Sequence, residues 1–192
     1  MPLIISITSP DLEKVTKLLK GVTVNRAPQR AIQEAIGRSL TAGKAAASQG
    51  VRARYNISAA EVKANIEEKK ASFSDLTGSL SYKGPMLPIE AFKPSVRMRR
   101  IYRRGPMHQH VHAAIVKGSR KLITGAFMVG SRVMERKQPE QYPIFRVMTI
   151  GLPYMVRQTG IVNSIQDRMA EIYNTRLDHN INAMLDGAWG TR

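Results

Sequence analysis

Residues 107–129 read MHQHVHAAIVKGSRKLITGAFMV, and this stretch decides the fold because it holds two short β-like runs with turn residues between them. The runs cover residues 111–117 and 126–129, and Gly118 and Gly125 interrupt the apolar pattern. Short runs bounded by glycine favour antiparallel strands, since parallel strands need longer crossover connections. The stretch therefore predicts part of an antiparallel sheet.

The same alternation of short β-like runs and turn residues continues on both sides of this stretch. Further strands are predicted at residues 71–73, 77–82, 89–93 and 144–148. Prolines and glycines recur between these runs, as they do between the strands of small antiparallel sheets. The middle of the chain is therefore predicted to be rich in β-structure.

Two helices are predicted at the start of the chain, after a short strand near its N-terminus. The first begins at residues 9–11 (SPD), which can cap a helix and favour its positive end, and it stops at Gly21. The second runs from about residue 26 to about residue 49. Its Ile32, Ile36 and Leu40 recur at four-residue spacing and mark an inward face.

A third helix is predicted to begin at Ser58. Ser58 and Glu61 form a capping-box pattern in which each side chain can accept from the other's backbone, and Val62 and Ile66 would face inward. Together with the preceding helix this pattern leaves two interpretations open. One is a helix-turn-helix DNA reader, and the other, which we favour because the motif is short, is a helical hairpin with solvated basic residues.

A long helix is predicted at the C-terminal end, beginning either at Asn163 or at residues 159–160 (TG) and stopping near Gly187. Apolar residues recur along one face from Ile161 to Leu185, and Ile172 belongs to that face. The resulting prediction is an α+β fold with N-terminal helices, a central mostly antiparallel β-sheet and a long C-terminal helix.

The length of 192 residues and a hydrophobic content of 43% suit a single packed domain. We expect this domain to cover residues 1–192. Residues 1–68 would be mainly helical, residues 69–158 β-rich, and residues 159–187 the C-terminal helix.

The composition excludes several classes of protein. The chain has no Cys, so disulfides, Cys-ligated zinc and thiol catalysis are excluded. It shows no signal-peptide pattern and no apolar run long enough to span a bilayer, so we expect a soluble protein made in a cytoplasm, with no membrane partner. We expect no catalytic or cofactor-binding residues and no cofactor, and therefore no enzyme.

Residues 96–137 carry an unusual positive charge. They contain eleven Lys or Arg and one acidic residue, Glu135, so they supply +10 of the chain's net charge of +16. The basic residues are Arg97, Arg99, Arg100, Arg103, Arg104, Lys117, Arg120, Lys121, Arg132, Arg136 and Lys137. A folded surface with this charge attracts a polyanion or an acidic protein face and repels copies of itself.

The densest part of this charge has two interpretations. Arg97, Arg99, Arg100, Arg103 and Arg104 can dock phosphates or carboxylates, or they can line a solvated strand edge on which charge prevents pairing with other sheets. We predict partner binding by these five arginines and by two further residues, Lys121 and Trp189. For Trp189, near the C-terminus, contact with a neighbouring subunit and an anchor on its own domain both remain open.

Three histidines alternate along one predicted strand, at His108, His110 and His112. Alternate residues face the same way, so a metal site is one hypothesis. Their span of about 13 Å, at ~3.3 Å per residue, is too wide for one ion, and no carboxylate is near. We therefore predict no metal ligands here.

Three segments carry a resemblance to a known family. They are residues 87–94 (LPIEAFKP), residues 120–128 (RKLITGAFM) and residues 143–148 with 151–155 (PIFRVM and GLPYM). In this order the segments resemble the phage minor tail protein Z family, whose members complete the tails of long-tailed phages. The likeness spans about residues 25–185.

The resemblance implies a non-enzymatic virion component at the head-proximal end of a tail. Its expected partners are further copies of the chain, as a hexameric ring around the DNA channel, together with the tail terminator and the head connector or neck proteins. Contact with channel DNA is also implied as a possibility.

Two other functions stay open on the residues alone. A basic nucleic-acid-binding protein would use residues 97–104 and the helices around Arg52 and Arg54. A metal-dependent enzyme would use His108, His110 and His112, and it would carry bound metal when purified.

Overall fold

The structure is a computed structural model, and it describes residues 2–8, 12–20, 26–100, 107–136, 142–158 and 160–187. Its helices are α1 (Leu12–Leu18), α2 (Ala27–Arg54), α3 (Ala59–Ala64), α4 (Leu152–Val156) and α5 (Ile161–Leu185). Its strands are β1 (Leu3–Thr8), β2 (Ile66–Lys69), β3 (Thr77–Tyr82), β4 (Ser95–Arg100), β5 (Met107–Ala113), β6 (Lys121–Leu122), β7 (Ala126–Val129), β8 (Arg132–Arg136) and β9 (Ile144–Arg146). The α+β fold with N-terminal helices and a long C-terminal helix is confirmed.

The strands form three small antiparallel sheets instead of the one central sheet that was predicted. Their strand orders are β1-β3-β2, β4-β5-β6 and β7-β8-β9. Antiparallel pairing is therefore confirmed, whereas the grouping of the strands differs. A period-two pattern identifies a strand and its faces, but it does not name the strand's partners.

Residue contacts group the chain into two compact units. The first unit takes its described residues from Met1–Ala47, Ile66–Lys83 and Arg157–Arg192, and the second takes them from Ser48–Asn65 and Gly84–Val156. The first unit thus holds the β1-β3-β2 sheet with α5 and most of α2, and the second holds the other two sheets. The single domain predicted for residues 1–192 stays a prediction, since this grouping does not test whether the units fold separately.

In the first unit, β3 packs directly against α2. Leu80 and Tyr82 of β3 are fully buried, and a Cβ atom added to Gly78 would lie 2.5 Å from Cγ2 of Ile36 on α2. Carbon atoms do not approach so closely, so strand and helix meet at a point where the strand has no side chain. This glycine therefore sets the distance between the sheet and the helix.

Helices α2 and α5 also make close contact within the first unit. A Cβ atom added to Gly43 of α2 would lie 2.7 Å from Cγ and from Sδ of Met169 on α5. The Ser39 hydroxyl donates to the carbonyl oxygen of Met169 at 2.7 Å, and the Asn180 side-chain amide donates to the carbonyl oxygen of Ala31 at 3.0 Å. Both polar side chains are buried, so these hydrogen bonds satisfy groups that water does not reach.

The second unit has a small apolar core shared by its two sheets and a short 3-10 helix, Ile89–Phe92. The core consists of Ile89, Val111, Ala113, Ala126, Val133 and Val147. Oε1 of Glu90 accepts from the Val133 N–H at 2.7 Å and from Nε of Arg146 at 3.3 Å. Burial opposes ionisation of Glu90, but these hydrogen bonds and the Arg146 charge outweigh it and lower the pKa of the carboxyl group. Glu90 therefore ties the 3-10 helix to β8 and β9.

Two predicted strands are wrong. Residues 71–73 lie in a bend, where the Ser72 N–H donates to the Asp75 carbonyl oxygen at 2.8 Å and the Asp75 N–H donates to the Ser72 hydroxyl at 3.0 Å. Residues 89–93 contain the 3-10 helix Ile89–Phe92. In both segments local hydrogen bonds take up backbone groups that a strand would offer to a neighbour.

Several boundaries also differ from the predictions. Ile66, expected on the third helix, instead begins β2 opposite Tyr82 and is buried there. Strands β4 and β8 were not predicted, although charged and apolar residues alternate along part of β4 in the pattern of a half-buried strand. Helix α2 continues past residue 49 to Arg54, and α4 was missed because its Pro153 is typical of helix ends.

Other predictions agree with the structure. Strands β3 and β7 coincide with the predicted runs. Strand β5 overlaps the run predicted at residues 111–117 only at residues 111–113, and β9 covers the first three residues of the run predicted at residues 144–148. The Ser58 hydroxyl caps α3 by accepting from the Glu61 N–H at 3.1 Å. Residues 9–11 and Gly21, used to predict the ends of the first helix, lie outside the described residues.

Candidate interaction surface

Strands β4 and β5 pair in a hairpin that brings arginines and histidines onto one face. Arg97 lies opposite His110 and Arg99 lies opposite His108, with His112 at the end of the row. Directly opposed residues on antiparallel strands project from the same face, about 5 Å apart. We call these five residues the basic face. Arg97, Arg99 and His108 are exposed, and His110 and His112 are half-buried.

The opposite face of the hairpin carries three apolar residues, together with Gln109 opposite Met98. Val96 lies opposite the buried Val111 of the core, so this end of the hairpin is anchored in the second unit. Farther along the same face, Met98 is 53% exposed and Met107 is 49% exposed. We call Val96, Met98 and Met107 the apolar face. The hairpin thus offers cations on one side and adaptable apolar side chains on the other.

Hydrogen bonds hold the hairpin where it joins the rest of the second unit. Nη2 of Arg120 donates to the Ser95 hydroxyl oxygen, and the Ser95 hydroxyl donates to the carbonyl oxygen of His112 at 3.5 Å. On the other strand, Oε1 of Gln109 accepts from the Met128 N–H at 2.6 Å. Arg120, which belongs to the basic sequence, therefore has a structural role.

Burial and the charges on the basic face affect the titration of His112. Partial burial lowers the pKa of His112, and the charges of Arg120 and Arg97, together with His110, lower it further. The neutral form of His112 is therefore favoured at pH 7.

The structure brings together some of the predicted partner-binding residues but not all. Arg97 and Arg99 share the basic face, whereas Lys121 of β6 lies opposite Ala113 and so projects from the other side of the sheet. The backbone of Arg100 ends β4, and its side chain lies outside the described residues. Arg103, Arg104 and Trp189 also lie outside the described residues.

The predictions treated the arginines and the histidines as separate clusters, although they share one face. Each set alternates along its own strand, and residues 105–106 (GP) mark a turn between the two strands. Pairing the strands around that turn would have placed both sets together. Among the described residues, no three His, Asp or Glu side chains lie close enough to hold a metal ion.

The helix-turn-helix hypothesis finds little support in the geometry. Helix α3 has six residues, which is less than two turns, and its Val62 is buried. A recognition helix needs an exposed face long enough to contact several base edges.

Comparison with other proteins assigns no family or function to these residues. Among the helices that the structure describes, none is long and apolar enough to cross a bilayer. The candidate surface is therefore defined by its own residues, the basic face and the apolar face of the β4–β5 hairpin. No protein family, curated protein or solved structure matches this chain.

Proposed function

We propose that this chain is a structural virion protein of a long-tailed phage, a tail-completion or neck component that joins the tail to the head connector. It works as a homo-oligomer, in the proposed form a hexameric ring around the DNA channel. Its partners are the tail terminator and the connector or neck proteins, and it belongs to the virion after assembly in the host cytoplasm. The resemblance of residues 87–94, 120–128 and 143–155 to the minor tail protein Z family supports this proposal.

The β4–β5 hairpin is the observation that carries the proposal. Its apolar face exposes Met98 and Met107, while its basic face exposes Arg97 and Arg99. Nucleic acid alone needs only the cations, whereas a protein neighbour can also cover the methionines. The hairpin therefore suits a joint between proteins, with an acidic neighbour to offset its charge.

The same hairpin could supply the contact between copies in the proposed ring. An element that packs on a different surface of the next copy makes a heterologous contact, and such contacts close a ring when the rotation allows. Because like charges repel, the basic face would meet an acidic partner and not the basic face of another copy.

The proposal is tested in a phage that lacks its own copy of this gene and is complemented with variants. Arg97→Gln combined with Arg99→Gln should lower the yield of infectious particles and leave separate heads and tails in electron micrographs. The matched control is Arg38→Gln combined with Arg176→Gln, which removes the same charge from two exposed positions in the first unit. The control should assemble normally.

Two results would contradict the proposal. One is a normal yield of infectious particles in the complete absence of the chain. The other is electron microscopy of intact virions in which a labelled chain is missing from the neck.

A free nucleic-acid-binding protein is the second candidate. The observation that favours it is the basic face, whose five residues include no carboxylate. If six phosphates are contacted, affinity for duplex DNA should fall about a thousandfold between roughly 50 and 200 mM salt. Weak binding with little salt dependence, together with rings in electron micrographs, would favour the structural function instead.

A further inference from the structure

A pocket of about 510 Å³ lies in the second unit beside β5, where β6 stops short. Its walls come from β5, from the segment between β6 and β7, from β7 and from the end of β8. The lining residues are Met107, His108, Gln109, His110, Leu122, Ile123, Thr124, Gly125, Ala126, Phe127 and Arg136. The pocket is separate in its residues from the exposed arginines of the basic face.

The pocket exposes part of the edge of β5. Strand β6 pairs with β5 at His112 and Ala113, and the Ile123 N–H then donates to the carbonyl oxygen of Val111 at 2.9 Å. Backbone groups of alternate residues point to the same side of a strand, so those of Gln109 and Met107 also point that way. No strand among the described residues pairs with them there.

The polar groups of the lining are positive or neutral. Arg136 places its guanidinium 4.5 Å from the centroid of the Phe127 ring, which holds the charge against an apolar wall. Nε2 of His110 is buried and has no hydrogen-bond partner in the described part of the chain. No Asp or Glu is among the lining residues. A buried nitrogen without a partner is costly, so an oxygen ligand at this position would be favoured.

We propose that this pocket binds a carboxylate carried on an apolar stem, as in a Glu side chain of an extended segment from a partner protein. The carboxylate accepts a hydrogen bond from Nε2 of His110 and lies in the field of Arg136. The stem packs against Leu122, Ile123 and Phe127. A free short-chain carboxylate has the same chemistry, and the experiment separates the two sources.

The test is an NMR titration of the full chain, following the backbone amides of Gln109 and Phe127 and the ring nitrogens of His110. Three probes are used: hexanoate, the neutral isostere hexanamide, and the blocked peptide acetyl-Leu-Glu-Leu-amide. Hexanoate and the peptide should shift these signals saturably, and hexanamide should leave them in place. Binding by hexanoate without binding by the peptide would assign the pocket to a free carboxylate.

Two variants test the contacts, and a third is the control. His110→Leu and Arg136→Gln should each weaken binding of the carboxylate probes about tenfold, because each removes a charge-assisted contact. Arg132→Gln, on the same strand as Arg136 but outside the lining, should bind as the unmodified chain does. Arg136→Gln keeps the test decisive if His110→Leu fails to fold.

Three outcomes would overturn the inference. These are saturable binding of hexanamide with the affinity of hexanoate, unchanged affinity in both His110→Leu and Arg136→Gln, and the absence of any saturable shift with both carboxylate probes. The inference does not depend on the virion function, so an intact pocket in a non-viral protein would leave it standing.

Discussion

Helices α2 and α5 of the first unit and the β4–β5 hairpin of the second unit use their side chains in opposite ways. Between the helices, Gly43 leaves no room beside Met169, and the buried Ser39 is hydrogen-bonded across the contact. The hairpin leaves Arg99 and Met98 exposed on opposite faces. The helix pair therefore depends on close packing, whereas the hairpin keeps its side chains available.

The difference has a physical origin. Helices complete their own backbone hydrogen bonds, so two helices hold together only through their side chains and tolerate little change in volume. Paired strands hold together through their backbones, and the side chains of both faces remain free for other contacts. An interaction surface on a hairpin can therefore be altered with less loss of stability than a contact between helices.

The largest expected effect is a difference in stability between alanine variants of two glycines on α2. Gly43→Ala adds a methyl group 2.7 Å from Met169, so overpacking should outweigh the gain in helix propensity. Gly37→Ala is the matched control, since nothing lies within 4 Å of its added Cβ atom, and it should stabilise the chain. The free energies of unfolding in urea should differ by about 2 kcal/mol between the two variants. Equal stabilities would mean that α2 and α5 do not pack closely at Gly43.

The next effect concerns Glu90, which ties the 3-10 helix to β8 and β9 in the second unit. Glu90→Ala should lower the free energy of unfolding by about 1–2 kcal/mol, because the Val133 N–H loses its acceptor. Glu90→Gln keeps an acceptor oxygen and should lose less. Chemical denaturation measures both variants, and a smaller loss for Glu90→Ala than for Glu90→Gln would contradict this role.

The pH dependence of Glu90 follows from the same contacts. Its folded pKa is lowered, so the ionised carboxylate stabilises the fold above the ordinary carboxyl value. This stabilisation is lost as the pH falls through the lowered value. Glu90→Gln should therefore lose less stability than the unmodified chain when the pH is reduced through that range.

A smaller effect is expected on the hairpin. Arg97→Gln combined with Arg99→Gln should change the free energy of unfolding by no more than about 1 kcal/mol, because exposed charges contribute little to stability. The same denaturation experiment measures it. A loss comparable to that of Glu90→Ala would mean that the basic face is needed for folding and would weaken the contrast with the helix pair.

The smallest effect is a change in pH dependence at His112. The pKa of His112 is lowered in the folded chain, because folding favours the neutral ring. The resulting stabilisation is fully present above the ordinary histidine pKa of about 6.5. It is lost as the pH falls from that value through the lowered pKa. His112→Gln should therefore reduce the drop in melting temperature on acidification.

The helices could be predicted well because their signals are local. Along α5, the predicted apolar residues from Ile161 to Met184 are mostly buried, whereas Ile172 is half-buried and Leu185 is exposed. The cap at Ser58 was also predicted, since its partner is three residues away.

The candidate surface could be predicted only in part. The sequence shows that Arg97 and Arg99 are charged and alternate, but it does not show that His108 and His110 lie beside them. The pocket could not be predicted, because it exists where β6 ends, and no residue pattern marks that point. Lys121 was grouped with the arginines by charge, although strand pairing puts it on the other side of the sheet.

The sequence by itself determined the α+β class, the long C-terminal helix and the concentration of positive charge in residues 96–137. Tertiary structure alone decided that the strands divide into three sheets and that the arginines and histidines of one hairpin share a face. The physical reason is the distance along the chain over which each kind of interaction acts. Caps and helical periodicity act over a few residues, whereas strand partners and the open edge beside Gln109 depend on contacts between distant parts of the chain.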